Sequence, residues 1–219
     1  MSTSAVVLAA GRGERMRSDV RKAFLELAGR PLFVRAVETF ARVPQVEEIV
    51  VVVHPDDVRT ASSAVGPIAP RARIVAGGET RRDSSLAGIR ASTGEIALIH
   101  DGCRPFVTAQ LIERVLGEAK RHGAAVPVLP STETLYHLAD GRLARVLDRA
   151  SVVRAQTPQG FSRPLILRCL EAADRDITDD ASALLAQGEP VFVVEGEASN
   201  VKLTYPEDLR WARTFAASE

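Results

Sequence analysis

Two rhythms of apolar and polar positions alternate along the chain. Short β-branched runs with no polar face are separated by longer stretches in which apolar residues recur every three or four positions. "AVVLAA" (5–10) reads as a buried strand. "RPLFVRAVETFARV" (30–43) reads as a helix: Pro31 suits its first turn, and Leu32, Phe33, Ala36, Val37, Phe40 and Ala41 share one face. "EIVVVV" (48–53) and "ARIVA" (72–76) are strands, "DSSLAGIRAS" (83–92) a helix, and "EIALIH" (95–100) a strand. "TAQLIERVLGEAKRHG" (108–123) is a helix capped by Thr108 and stopped by Gly123. "GAAVPVL" (123–129) is a strand. "RPLILRCLEAA" (163–173) and "TDDASALLAQG" (178–188) are helices, the second with Thr178 as cap. "EPVFVVEG" (189–196) is a strand, and Pro206 opens a last helix through Trp211.

Strand and helix in alternation predict a three-layer α/β fold with a mostly parallel sheet. Residues 131–160 break the rhythm. "ADGR" inside that segment is a hairpin turn signal, and polar and apolar residues roughly alternate around it. We expect a β-hairpin arm projecting from the main sheet.

Composition narrows this picture only in places. The 219 residues suit one domain, and net charge is zero, so nothing global draws the chain to nucleic acid or an anionic membrane. No apolar run approaches the roughly 20 residues of a membrane helix, and the first residues lack the basic region of a signal peptide. Cys103 and Cys169 have neither metal-ligand spacing nor a disulfide framework, which points to a reducing cytoplasm. Of 28 basic residues 25 are arginine; the lysines are Lys22, Lys120 and Lys202. A lysine is therefore the more informative cation here.

The candidate chemistry sits at strand ends. After the first strand come Ala10, Gly11, Arg12, Gly13, Glu14, Arg15, Met16 and then Lys22. Glycines there let backbone N–H groups approach phosphate oxygens, and Arg15 and Lys22 can neutralise a polyphosphate. A dinucleotide fingerprint and a Walker A loop are both absent. A turn with solvated charges meets the same pattern. "IHDGCRP" (99–105) ends a strand in Asp101, which can ligate Mg2+ or simply close an Asx turn; His100 reads as a packed residue. "GGETRRDSS" (77–85) can hold a base or ribose through backbone and hydroxyl groups, or cap the following helix. "DRASVVRAQTPQGF" (148–161) carries Arg149 and Thr157 on the returning side of the arm, and "ASNVKLTYPEDL" (198–209) carries Lys202.

In order along nearly the whole chain, "VVLAAGRGERM" with Lys22, "GGETRRDSS", "HDGCRP", "LDRASVVRAQTPQGF", "ITDDAS" and "NVKLTYPEDL" resemble the 2-C-methyl-D-erythritol 4-phosphate cytidylyltransferases. The first segment marks the wider sugar-nucleotidyltransferase group; the later ones are more specific. The resemblance implies a Rossmann-like nucleotidyltransferase that moves CMP from CTP onto 2-C-methyl-D-erythritol 4-phosphate, releases pyrophosphate, and feeds isoprenoid synthesis. By resemblance, Arg15, Lys22 and Lys202 are catalytic. Ala10, Gly11, Gly13, Gly78, Glu79, Ser84 and Asp101 bind the nucleotide. Arg104, Thr134, Arg149, Thr157 and Thr178 face the sugar phosphate, and Asp101 holds Mg2+. A homodimer is also implied, with 131–150 as the interlocking arm, so that Arg149 and Thr157 reach the site from the partner subunit.

The chain departs from the family pattern at several points. Arg21 and Ala23 flank the loop lysine where Pro and Gln are usual. "HDGCRP" replaces "HDAARP". The arm's entry, "LPSTETLYH", is longer than usual, so Thr132 competes with Thr134. Ser199 stands at the second acidic position, which in the family helps hold the metal. The alternatives are a cytidylyltransferase for another polyol phosphate, such as ribitol 5-phosphate, and a nucleotide-binding module without turnover.

Overall fold

A computed structural model of the chain describes residues 1–16, 20–174 and 177–217. Residues 17–19, within the glycine-rich connection, lie outside the described residues. The strands are β1 (Thr3–Ala9), β2 (Glu26–Leu27), β3 (Arg30–Pro31), β4 (Glu48–Val53), β5 (Arg73–Ala76), β6 (Ile96–Asp101), β7 (Ala124–Pro130), β8 (Tyr136–Ala139), β9 (Arg142–Val146), β10 (Val153–Ala155), β11 (Gln159–Ser162) and β12 (Phe192–Glu195). The helices are α1 (Leu32–Ala41), α2 (Val58–Val65), α3 (Arg81–Ala91), α4 (Ala109–His122), α5 (Arg163–Ala172), α6 (Asp180–Leu185) and α7 (Pro206–Ala216).

Eight strands form the main sheet in the order β10-β7-β11-β6-β1-β4-β5, with β12 on the other edge of β7. β1 pairs in parallel with β4 and β6, β4 with β5, and β12 with β7. β11 is antiparallel to both β6 and β7, so those two also run the same way. Only β10 and β11 oppose the other six, which makes the sheet mostly parallel, as the alternating pattern predicts.

The central strands read as unbroken apolar runs because both faces are covered. Ala5, Val7, Ile49, Val51, Val53, Ile96 and Leu98 face one layer, with α1, α2 and α4 packed on it. Val6, Val50, Val52, Ala97 and Ile99 face the other, under α3, α5 and α6. The chain leaves β1 for β4 and β5 on one side, then crosses back to β6 on the other. That reversal opens a crevice at the C-terminal ends of the strands, the usual ligand position in such sheets.

Local chemistry sets the element ends. Thr108 caps α4 by accepting from the Leu111 N–H, and Gly123 stops it in the left-handed conformation at φ 83°. The cap of α6 is Asp179, which accepts from the Ser182 N–H; Thr178 is exposed and outside the helix, contrary to the sequence expectation. The extended Asp179 backbone aims its carboxylate at the free N–H groups, a task the shorter threonine one residue earlier does not reach. α7 runs past Trp211 to Ala216, and the Asp208 carboxylate accepts from the Thr204 and Tyr205 N–H groups at its start.

β8 and β9 form a separate antiparallel pair turned by Asp140 and Gly141, both at positive φ (50° and 73°). That is the turn an Asp-Gly pair favours. All nine strand residues are exposed, Tyr136, Leu138, Leu143 and Val146 among them.

Candidate active site

A cleft of about 1020 Å3 lies over the ends of β1, β4, β5 and β6. Five cations (Arg12, Arg15, Lys22, Arg81 and Lys202) and two carboxylates (Glu79 and Asp101) line it among the described residues. The chain as a whole is neutral, so this positive excess is local and set at one place.

The glycine-rich connection forms one wall. Gly11 is exposed with open space where a side chain would stand. Gly13 sits at φ 71°, and its Cα is so close to the Lys22 side chain that a Cβ would collide with Lys22 Cβ. Glycine at 13 therefore lets the wall fold back onto the lysine it presents. Arg15 is exposed and stacks its guanidinium 5.7 Å from the Tyr205 ring, across the cleft mouth. Arg21 reaches the turn after β4: its Nη1 donates to both Asp57 oxygens at 2.9 and 3.0 Å, and its Nη2 lies 2.9 Å from His54 Nδ1. The departure at position 21 thus ties the residue before Lys22 to the neighbouring strand end.

Opposite stands Asp101, the last residue of β6. Lys202 Nζ lies 2.8 Å from its Oδ2, Arg81 Nη2 3.5 Å from its Oδ1, and Arg104 Nε 4.0 Å away. Burial would raise its pKa, but Arg81, Lys202 and Arg104 outweigh burial and hold it well below the usual carboxylate range. Arg81 is anchored from behind by the fully buried Asp180, 2.7 Å away. Burial alone would lower the Arg81 pKa; the Asp180 and Asp101 charges reverse that and raise it. Asp101 is thus an anion, and Arg81 a cation, at any working pH.

Behind Asp101 runs a chain of hydrogen bonds with one consistent direction. The Arg104 carbonyl, 3.1 Å from His100 Nε2, can only accept, so Nε2 carries the proton. Nδ1 is then bare and accepts from the Thr157 hydroxyl at 3.1 Å. That hydroxyl in turn accepts from the Asp101 N–H at 3.1 Å. Burial pushes the His100 pKa down to about 4, so the ring is neutral near pH 7. Burial likewise raises the Cys103 thiol, so that Cys103 carries no thiolate beside Asp101 near pH 7.

The structure brings Ala10, Gly11, Gly13, Arg15, Lys22, Gly78, Glu79, Ser84, Asp101 and Lys202 together around this cleft. The other expected residues do not line it. Thr157 is buried in its own chain, where its hydroxyl meets His100 Nδ1 and accepts from the Asp101 N–H, so within this chain it holds the Asp101 backbone. Arg104 is buried, donating to the Asn200 carbonyl at 2.7 Å, and supports the site from beneath. Thr134, Arg149 and Thr178 are exposed and outside the cleft of this chain, the first two at the foot of the β8–β9 hairpin. Arg81 was missed as a functional cation. Its role depends on Asp180, 99 residues further along, so the local sequence around either residue carried no signal for it.

Metal fit can be judged on the donor set. Among the described residues no group of three or more His, Cys, Asp or Glu side chains is placed so that it could hold a metal ion. Mg2+ needs only one or two carboxylates when substrate phosphates and water complete its shell, and Asp101 facing an open cationic cleft meets that requirement. Ser199 brings no carboxylate, and the Glu197 carboxylate is turned to Thr108 and Arg114.

Comparisons with known proteins agree with this geometry. The family model described as IspD, 2-C-methyl-D-erythritol 4-phosphate cytidylyltransferase, matches residues 3–217. The 2-C-methyl-D-erythritol 4-phosphate cytidylyltransferase of Geobacillus kaustophilus is 40% identical over 224 residues, covering 100% of this chain and 98% of that protein. The crystal structure of 4-diphosphocytidyl-2C-methyl-D-erythritol synthase from Anaerococcus prevotii superposes with a TM-score of 0.88 at 29% identity, covering 99% of this chain and 96% of that one. The 2-C-methyl-D-erythritol 4-phosphate cytidylyltransferase of Thermus thermophilus superposes with a TM-score of 0.80 at 36% identity, covering 97% and 98%. A cationic strand-end cleft, a match along almost every residue and this likeness of fold converge, and the chain belongs to the 2-C-methyl-D-erythritol 4-phosphate cytidylyltransferase family.

Proposed function

We propose that the chain transfers CMP from CTP to 2-C-methyl-D-erythritol 4-phosphate. A phosphate oxygen of the sugar attacks the α-phosphorus in line. The new P–O bond forms as the bond to the bridging oxygen of the β-phosphate breaks, and pyrophosphate leaves with that electron pair. The nucleophile is already an anion near neutral pH, so no general base is required. The neutral, buried His100 and the raised Cys103 thiol suit such a reaction.

The obstacle is repulsion between two anions. Positioning and charge neutralisation carry the catalysis. Lys22, Arg15 and the N–H groups around Gly11 and Gly13 receive the triphosphate and the departing pyrophosphate. Lys202, set against Asp101, faces the α-phosphate and the incoming sugar phosphate. Gly78, Glu79 and Ser84 hold the base. Asp101 would hold Mg2+ together with nucleotide phosphates, and the ion would supply further neutralisation of negative charge.

The observation that carries this reading is the positive excess around one permanently ionised carboxylate at the glycine-lined strand end. We further propose a cytoplasmic homodimer. The exposed apolar hairpin β8–β9 supports the pairing, since its Tyr136, Leu138, Leu143 and Val146 have no cover within the chain, and Arg149 and Thr134 at its foot would then serve the neighbouring cleft. The two unpaired cysteines support the compartment. No helix among the described residues is long and apolar enough to cross a membrane.

Pyrophosphate release, followed with CTP and Mg2+ across a panel of polyol phosphates, tests the function. The expected result is turnover with 2-C-methyl-D-erythritol 4-phosphate. Preferential turnover with ribitol 5-phosphate, or none with any acceptor, overturns it.

A further inference from the structure

Lys202 sits on an irregular strap between β12 and α7, with no regular hydrogen-bond ladder to fix it. Its position over Asp101 therefore depends on isolated backbone bonds and on side chains that brace the strap. Gln156, 5% exposed, spans the gap. Its Nε2 donates to the Glu197 carbonyl at 2.8 Å and the Asn200 carbonyl at 3.2 Å, and its Oε1 accepts from the Glu197 N–H at 3.0 Å. Asn200, fully buried, returns a bond from Nδ2 to the Thr157 carbonyl at 2.8 Å. Gly196 makes room: a Cβ there would stand 2.5 Å from Gln156 Oε1. On the far side of Lys202 the Leu203 N–H bonds the Cys103 carbonyl at 3.0 Å. Lys202 is thus held on both sides: before it by the Gln156 amide, with the Arg104 guanidinium also donating to the Asn200 carbonyl at 2.7 Å, and after it by a backbone bond.

We propose that Gln156 is a positioning residue that sets Lys202 against Asp101. The proposal rests on the reading of Lys202 as a phosphate-facing group. Gln156 touches neither the cleft nor the reacting atoms. It acts by closing the turn 197–200 so that the next side chains leave in the right direction. An amide is required, because one end must donate to two carbonyls while the other accepts from an N–H. A carboxylate of the same shape would turn an oxygen toward both carbonyls.

The test uses the full chain with Gln156→Glu, Lys202→Met and the double variant. The sequence has only three lysines, so protein labelled with 13C at lysine gives three side-chain sets, assigned by Lys→Arg variants. Gln156→Glu should move the Lys202 signals and leave those of Lys22 and Lys120 in place. Turnover should fall about 10- to 100-fold, the loss expected when a catalytic group is misplaced by about 1 Å. On the Lys202→Met background the same change should cost less than about twofold, because its effect passes through Lys202. Gly196→Ala, which drives a methyl group into Gln156 Oε1, should repeat the pattern if Gln156→Glu does not fold. Unmoved Lys202 signals in a folded variant, or equal losses on both backgrounds, would overturn the proposal. A wild-type chain without turnover would instead refute the proposed function, and the lysine spectra would still decide the role of Gln156.

Discussion

Lowering the pH from 7 to 5 should strip about 2 kcal/mol from folding stability through His100 alone. The ring is wholly buried, and its pKa in the fold is about 4 against an ordinary 6.5. The sign follows from linkage: with the folded value depressed, the unfolded chain takes up the proton first, so stability is full above about pH 6.5 and is lost as pH falls toward 4. At pH 7 both states are mostly neutral. At pH 5 the unfolded histidine is nearly all protonated, while about a tenth of the folded one is, and the difference amounts to about 1.5 pK units, or about 2 kcal/mol. The depressed carboxylates, Asp101 with Glu38 and Glu48, start from ordinary values near 4 and give up their stabilisation mainly below this window. Protonation would put a hydrogen on Nδ1, where the Thr157 hydroxyl now donates, and leave the hydroxyl proton to find another acceptor. Urea unfolding at several pH values, for the wild type and His100→Gln, measures the effect. The wild type should lose about 2 kcal/mol more than the variant between pH 7 and 5. Parallel pH profiles for the two proteins would refute the buried-neutral assignment.

Three other outcomes are expected. Lys22→Ala should lower turnover about 10²–10³-fold, the loss typical of an oxyanion donor, and raise the apparent substrate requirement far less; near-normal turnover in steady-state kinetics would remove Lys22 from that role. Arg149→Ala should weaken sugar-phosphate binding and leave CTP binding intact by isothermal titration, and a large loss of CTP affinity would contradict its placement at the hairpin foot. The wild type should sediment as the proposed dimer, and Leu138→Glu with Leu143→Glu should convert it to a monomer and lower activity with it; a monomeric wild type, or a dimer that survives both changes, would refute the hairpin contact.

Much of the frame was legible in the sequence because it rests on local signals. β1, β4 and β6 are apolar runs buried on both faces, and α4 carries its own start and stop residues. The Asp140–Gly141 turn announces the hairpin. What escaped was set by tertiary contacts. α2 reads as a weak "VRTASSAV" and is helical because Ala61 and Val65 pack on the sheet. β10 and β11 run antiparallel at the end of the segment expected to form the arm, and "QGFS" shows no alternation because α4 and α5 cover its two faces. The site divided along the same line. The glycine wall, Lys22, Asp101 and Lys202 follow from strand ends and motifs. The buried use of Thr157, the anchoring of Arg81 by Asp180 and the clamp from Gln156 depend on residues far apart in the chain, and no spacing rule reveals them.

The cleft joins a wall that begins at Gly11 to a lysine at position 202. A ribosome delivers these halves at opposite ends of its work. The glycine bend can settle once β4 and β6 have paired with the first strand, yet the lysine set against Asp101 arrives only after β12 has left the exit tunnel. The half-built protein therefore carries a cleft that lacks one of its cations, and the cleft is complete only once the last elements have docked.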